Sequence, residues 1–355
     1  MVYLLYIIFS CSILAILSGY KSVKYVELII FSIPIILVWI FIIGGQYYVG
    51  TDYPSYLVLF EGENLWRMEG SGEWFFVCFV KGLNYLGLYG QDLFFIVAAF
   101  EIFLLLFFGE KLFTTKYLFI FFFVFIAYSS VFHNQMNGLR QYVATYLFSL
   151  AVLFLMERRY MLCLLFLVFA GGWHASVMLL PIILLFFYWL RNVYNKRFFY
   201  YIVLLSLLFL LVFKEKWLFS FMSLSGFYDQ YLTSEYVQEV GLINKITKFV
   251  NVPIVVYSIY KSDKYKLNVF LRNMYTISVL SYCVYISCLA STIMNRFGMY
   301  FSILACIPVV ILLIYLYREK NILFWFIILY LFLIYALKVT IFAVGEYAYE
   351  SVFFH

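Results

Sequence analysis

The chain reads as an all-α, polytopic integral membrane helical bundle, with about twelve transmembrane helices and an interfacial helix in its first outer loop. Three observations lead to that fold class. Hydrophobic residues make up 66% of the 355 and charged residues only 12%, against roughly 25% charged in soluble domains. Apolar runs of helical length follow one another from end to end. The lysines and arginines between those runs favour alternate loops. No stretch has the composition of a soluble domain, so one transmembrane domain over residues 1–355 is expected.

Taken in order, the apolar runs fall at 2–20, 27–44, 92–109, 115–132, 139–156, 160–173, 175–190, 198–213, 247–260, 273–292, 297–317 and 321–343. Crossing the hydrocarbon core takes about 20 helical residues, with a range of about 17 to 25. The first run lacks a basic leader and a small-residue cleavage site, so it is expected to be an uncleaved span. Trp74 to Leu88 is a further apolar run, but it carries Lys81, Gly82, Asn84 and Gly87. Such a helix suits the membrane interface better than the interior.

Charge placement supports this assignment. With 74–88 at the interface, the loops at 21–27, 110–116, 157–159, 191–197, 261–272 and 318–320 share one side, with 15 of the 24 Lys+Arg. Basic loops mark the cytoplasmic side. The long loops 45–91 and 214–246 then lie outside, as do both termini. The net charge of +6 is therefore a matter of topology, and no basic run on a soluble fold points to nucleic acid.

Residues 160–190 contain no Asp, Glu, Lys or Arg over 31 positions, about 46 Å of helix. One crossing is too short to use this length, and two would need about 60 Å. Arg159 and Arg191 flank it on the same predicted side. A hairpin of two short helices turning at Gly171-Gly172-Trp173-His174 reconciles these facts and puts His174 in a recess near the outer surface.

The outer face collects a distinctive set of polar residues: Gly50-Thr51-Asp52-Tyr53-Pro54-Ser55-Tyr56, then Gly72-Glu73-Trp74, then His133-Asn134-Gln135-Met136-Asn137-Gly138-Leu139-Arg140-Gln141, then His174-Ala175-Ser176, then Asn295-Arg296. Arg296 separates two uncharged stretches, 273–295 and 297–317. A guanidinium there either snorkels to an interface or faces a polar cavity. Each residue also has a plainer reading. Arg140 can snorkel, Asp52 can serve only as a turn residue before Pro54, and a lone His near a helix end is often a hydrogen-bonded structural group. The six cysteines match no metal or disulfide spacing, and three histidines are a poor stock for a metal site, so no cofactor and no metal are expected.

Gly50-x-Asp52-x-x-x-Tyr56, Glu73 before an aromatic, Arg140-Gln141-x-x-Ala144, His174-x-Ser176 and Arg296 before a long span together resemble the EpsG-like group of Wzy-type polymerases of O-antigens, capsules and exopolysaccharides. The motifs are individually short; their order and spacing over about residues 40–310 carry the likeness, and the last two spans add nothing to it. The resemblance implies a glycosyltransferase at the outer face of the bacterial cytoplasmic membrane. It would move a growing glycan from polyprenyl pyrophosphate onto an incoming polyprenyl-pyrophosphate-linked oligosaccharide repeat unit.

On that reading Arg140 and Arg296 bind the pyrophosphate, because a guanidinium is always protonated and grips phosphate oxygens in a bidentate fork. His174 or Asp52 would activate the acceptor hydroxyl. Tyr56, Glu73, Gln141, Tyr228 and Tyr231 are candidate sugar contacts, since aromatic faces and polar tips suit sugar rings; loop aromatics equally form an interface belt. The expected partners are the lipid-linked oligosaccharide and the bilayer, with a flippase and a chain-length regulator beside them. Two rival functions remain: a repeat-unit flippase or other transporter, for which paired repeats and mid-membrane charges would be expected, and an acyltransferase that modifies surface glycans. Only Glu101 lies deep in a span, which argues against the transporter.

Overall fold

A computed structural model describes residues 1–20, 24–213 and 242–354. Among them the chain is helical without strands, and one isolated antiparallel bridge joins Gln46 to Ser351. The all-α class therefore stands. The expected loop aromatics Tyr228 and Tyr231 lie outside the described residues, as does most of the loop 214–246.

Among the described residues six helices are long and apolar enough to cross a membrane: Tyr25–Gly44, Gln91–Tyr128, Leu139–Met156, Val269–Ala290, Thr292–Arg318 and Leu323–Thr340. The expected number of about twelve is thus not reached by length alone. The reasons are local. Val2–Leu17, Tyr160–Trp173 and Ala175–Leu190 are apolar but shorter. The run at 247–260 is divided between Leu242–Phe249 and Val252–Lys261. The runs at 92–109 and 115–132 form one 38-residue element, Gln91–Tyr128, broken at Thr114 (φ 59°, ψ 163°).

That break reverses the chain. Phe108 and Phe121 have ring centroids 6.0 Å apart, whereas thirteen residues of straight helix would separate them by about 20 Å. Gly109 makes the close approach possible, because a Cβ there would meet Leu118 and Phe121 side chains at 2.7 Å. The two halves of Gln91–Tyr128 therefore fold back on each other, as the basic residues around the break lead one to expect.

The helices group into two compact units, 1–184 with 316–355, and 185–315. In the first, Leu139–Met156 is the central helix: 89% of it is buried, against 22% of Leu323–Thr340. Its flanks are filled by aromatics, Tyr146 against Phe125 at 6.3 Å and Phe154 against Phe166 at 5.2 Å. Beside it, Tyr6 stacks on Phe132 at 5.4 Å and Trp39 meets Phe132 at 5.0 Å. Such rings supply most of the packing area where few polar groups are available.

Trp74–Tyr85 has 12 residues, about 18 Å of helix and too short to cross the core. It buries Phe76, Val77 and Val80 while Trp74 and Tyr85 stay exposed. The preceding loop is itself helical, at Tyr53–Phe60 and Leu65–Gly70.

The second unit is built around the Ser258 hydroxyl. It donates to the Pro308 carbonyl at 2.7 Å and lies 3.2 Å and 3.0 Å from the hydroxyls of Tyr265 and Tyr275. Asn195 and Asn268 cap Lys196–Val212 and Val269–Ser287 through side-chain oxygens, which satisfies N–H groups a helix leaves open. Ser291 does the same for the short helix Thr292–Gly298, accepting from Met294 N–H at 3.3 Å.

Candidate functional site

Three segments of the first unit deliver the polar residues. Gly72 takes a left-handed turn (φ +83°), and Glu73 follows at the N-cap of Trp74–Tyr85. Arg140 occupies the first turn of the central helix Leu139–Met156. His174 is the extended residue (φ −148°, ψ 117°) that ends Tyr160–Trp173 and precedes the 3-10 turn Ala175–Leu179. The break expected at 171–174 therefore falls at the histidine itself.

These side chains meet at Glu73. Its Oε2 is ion-paired with Arg140 Nη1. Its Oε1 accepts the Ala175 N–H at 3.2 Å and lies 4.0 Å from His174 Nδ1. The Ser176 hydroxyl stands 3.0 Å from the same Nδ1. Glu73 is 6% exposed at its side chain, Arg140 18% and His174 25%. The carboxylate is thus the covered hinge of the group, and the imidazole its most open member. Burial pushes the Glu73 carboxyl above its ordinary range, and Arg140 only partly offsets this.

Arg140 is confined on several sides. Nη1 also meets the Met68 sulfur. The guanidinium lies 5.4 Å from the Phe76 ring centre and 6.0 Å from that of Tyr56. Nε is buried without a hydrogen-bond partner. The Arg140 backbone N–H, one of the donors that a helix start leaves open, is satisfied by the Tyr56 hydroxyl at 3.3 Å.

Tyr56 connects this group to Asp52. Its hydroxyl is close enough to both Arg140 and Asp52 to feel each charge, while burial holds its pKa above the ordinary phenol value. Asp52 is half-buried at the N-cap of Tyr53–Phe60, with its backbone N–H donating to Asn137 Oδ1 at 2.8 Å. Gln141 is buried on the central helix. The first unit thus gathers Asp52, Tyr56, Glu73, Arg140 and His174 into one connected polar group from positions 52 to 174.

Arg296 belongs to the second unit. It is exposed on Thr292–Gly298, seven residues capped by Ser291. Gly298 packs that helix against Cys288, whose Cβ would lie 2.6 Å from an added Cβ.

Met68, Asn137, Lys338 and Glu346 were not among the expected site residues. Asn137 stood in the quoted run before Arg140, but Lys338 and Glu346 follow the last motif. His133 is fully buried, its Nε2 3.0 Å from the Tyr335 hydroxyl and its ring 4.2 Å from that of Tyr347. Burial depresses its pKa well below the ordinary value, so it is a neutral core residue.

Chemically, Glu73 Oε1 at 4.0 Å is beyond hydrogen-bond range of His174 Nδ1, and the Ser176 hydroxyl at 3.0 Å is the group that bonds that nitrogen. A guanidinium neutralised by that same carboxylate is fixed in place before any anion arrives. The family model of the EpsG family matches residues 28–351 of the chain, extending the likeness beyond the outer-face motifs. No curated protein and no solved structure matches the chain significantly.

Proposed function

The chain belongs to the EpsG family, a Wzy-like polymerase family, and from that premise we propose that it is a membrane glycosyltransferase joining lipid-linked oligosaccharide repeat units. The donor is a glycan on polyprenyl pyrophosphate, and the acceptor is a hydroxyl of the next unit. The reaction takes place at the outer face of the cytoplasmic membrane, with both units of the chain serving one polymerase domain.

The observation that supports this reading best is the meeting of Arg140, Glu73 and His174 within the first unit. In the proposed reaction His174 Nε2 takes the proton of the acceptor hydroxyl while its oxygen bonds to the anomeric carbon. The bond from that carbon to the pyrophosphate oxygen breaks, and polyprenyl pyrophosphate leaves with the electron pair. Arg140 stabilises the charge growing on the leaving group, where a well-placed donor is worth about 2.7–4 kcal/mol. Arg296 is assigned the same chemistry on sequence grounds. Glu73, expected as a sugar contact, is better read as a positioning residue, because its carboxylate is covered and engaged with Arg140 and Ala175. Asp52, half-buried, grips or orients the acceptor; Tyr56 and Gln141, both buried, support the site from behind. A chain-length regulator and a flippase complete the proposed pathway at the membrane.

A gel of surface polysaccharide from a strain lacking the protein tests the class. The ladder of long chains is expected to vanish while a single repeat unit persists at the surface. An intact ladder would overturn the reading and favour glycan acylation, and loss of even the single unit would favour the flippase. Orientation is tested with Met178→Cys, a position 59% exposed, in a background with the exposed Cys78 changed to Ser. A membrane-impermeant thiol reagent should label it from outside; labelling only after permeabilisation would defeat the proposed topology.

A further inference from the structure

Trp74 follows Glu73 and opens the helix Trp74–Tyr85, but the proposed reaction leaves it unused. Two contacts hold this stretch at the site. The Glu73 carboxylate accepts the Ala175 N–H at 3.2 Å. One residue further on, the Trp74 indole lies against Gly172. A Cβ added there would stand 2.9 Å from Trp74 Cε2, 3.0 Å from its Nε1 and 3.0 Å from Phe75 Cβ. Segments 73–75 and 172–175 are thus joined on either side of His174. Gly172 and His174 are two residues apart, about 5–6 Å of backbone, so the indole is seated next to the imidazole.

The ring is not spent on the core. Its neighbour in space, Trp173, is: that indole is fully buried among Phe75, Phe76, Phe79 and Phe100, with ring centroids 4.9–6.0 Å away. Trp74 keeps 46% of its surface open. The open side belongs to water, not to lipid tails. Positions 74, 78, 81 and 85 fall on one stripe of a helix, and each is exposed. Lys81 on that stripe is ion-paired with Glu69 at 2.5 Å, both side chains well exposed. Charges of this kind are costly in hydrocarbon and cost little in water. The helix Leu65–Gly70 that supplies Glu69 also supplies Met68, whose sulfur meets Arg140 Nη1. Trp74 therefore has the arginine on one flank and the imidazole on the other.

A pyranose carries hydroxyls around its rim and patches of C–H bonds on its faces. Those patches bear slight positive charge and settle on the negative face of an aromatic ring. An indole offers a broad face of that kind, and with only two side-chain torsions it loses little freedom on binding. A base beside the ring can then reach a rim hydroxyl while the sugar face is held.

We propose that Trp74 is the platform on which the acceptor sugar stacks, a substrate-binding residue that presents one rim hydroxyl to His174. The inference rests on the polymerase reading. Within it, the platform selects an acceptor pyranose with an open C–H face, on which no axial hydroxyl covers the stacking side.

Kinetics of the purified protein test it, with lipid-linked repeat units extracted from a strain lacking the protein as substrate. Trp74→Leu keeps an apolar side chain but removes the flat face. It is expected to raise KM about five- to twentyfold and to leave kcat within about twofold, the pattern of lost ground-state binding. Trp74→Tyr keeps a flat face and is expected to stay within about threefold of the parent KM. An unchanged KM with Trp74→Leu would overturn the proposal and leave the indole a member of the interface belt. A Trp74→Tyr variant as poor as Trp74→Leu, or a loss confined to kcat, would overturn it too. The polymerase reading fails separately, if the strain without the protein still makes its full ladder.

Discussion

The two arginines assigned to pyrophosphate sit in unlike surroundings, one in each compact unit. Arg140 is mostly covered, ion-paired with Glu73, flanked by Phe76 and Tyr56, and has its backbone N–H satisfied by a tyrosine. Arg296 is exposed on a seven-residue helix whose start is capped by a serine. The difference separates two ways of using one charge. A covered guanidinium with a carboxylate counter-ion is oriented in advance but gives up part of its field to that carboxylate. An exposed one keeps its reach but must give up side-chain freedom when it grips an anion.

The largest expected effect breaks that comparison at its covered end. Arg140→Ala should remove long chains altogether, a loss of about a hundred- to a thousandfold for one missing donor. It also strands the Glu73 carboxylate, so the protein in the membrane fraction should fall too. Arg296→Ala should cost polymer to a similar degree with a smaller loss of protein, because the side chain is exposed and no buried carboxylate like Glu73 is stranded by its removal as at Arg140. Lysine sharpens the contrast. Both Arg→Lys variants should rescue poorly, since an ammonium lacks the fork. Normal chain length with Arg140→Lys would reduce Arg140 to a counter-ion for Glu73.

A smaller effect is expected at the imidazole. His174→Ala should slow polymerisation about a hundredfold, the lower range for a lost general base, with the ladder shortened rather than absent. Ser176→Ala, which removes only a neighbour of Nδ1, should cost a few-fold at most. Unchanged chain length with His174→Ala would pass the role of base to Asp52.

Much of this arrangement was legible in the residues. Uncharged runs bounded by basic loops marked the helices, and two adjacent glycines in a 31-residue uncharged stretch marked the break at His174. Periodicity says which segment is helical, but it does not name the partner of a side chain. Glu73 reaches Arg140 across 67 positions and Ala175 across 102, so its place as the hinge of the group was hidden. Glu346 was hidden for another reason. It follows an apolar run, and only the backbone pairing of Glu350 and Val352 with residues 45–47 brings its segment beside the first outer loop. Helix lengths were least legible: the single apolar run at 247–260 is divided between Leu242–Phe249 and Val252–Lys261.

The smallest effect concerns the hinge itself and tests whether its charge is held at a cost. Burial raises the Glu73 carboxyl above its ordinary value, with Arg140 pulling the other way. In the folded protein Glu73 therefore holds its proton to a higher pH than in the unfolded chain. By linkage, a raised carboxyl favours the folded state fully below the unfolded pKa, near 4.3 for glutamate. That contribution is lost as pH rises through the folded value. Thermal unfolding of purified protein should thus show the parent gaining stability relative to Glu73→Gln as pH falls from neutral towards about 4.3. Glu346, whose carboxyl burial also raises, is present in both chains and drops out of the difference. A difference that grows in the opposite direction would mean that Arg140 outweighs burial, and that the covered pair stabilises the fold through its charge.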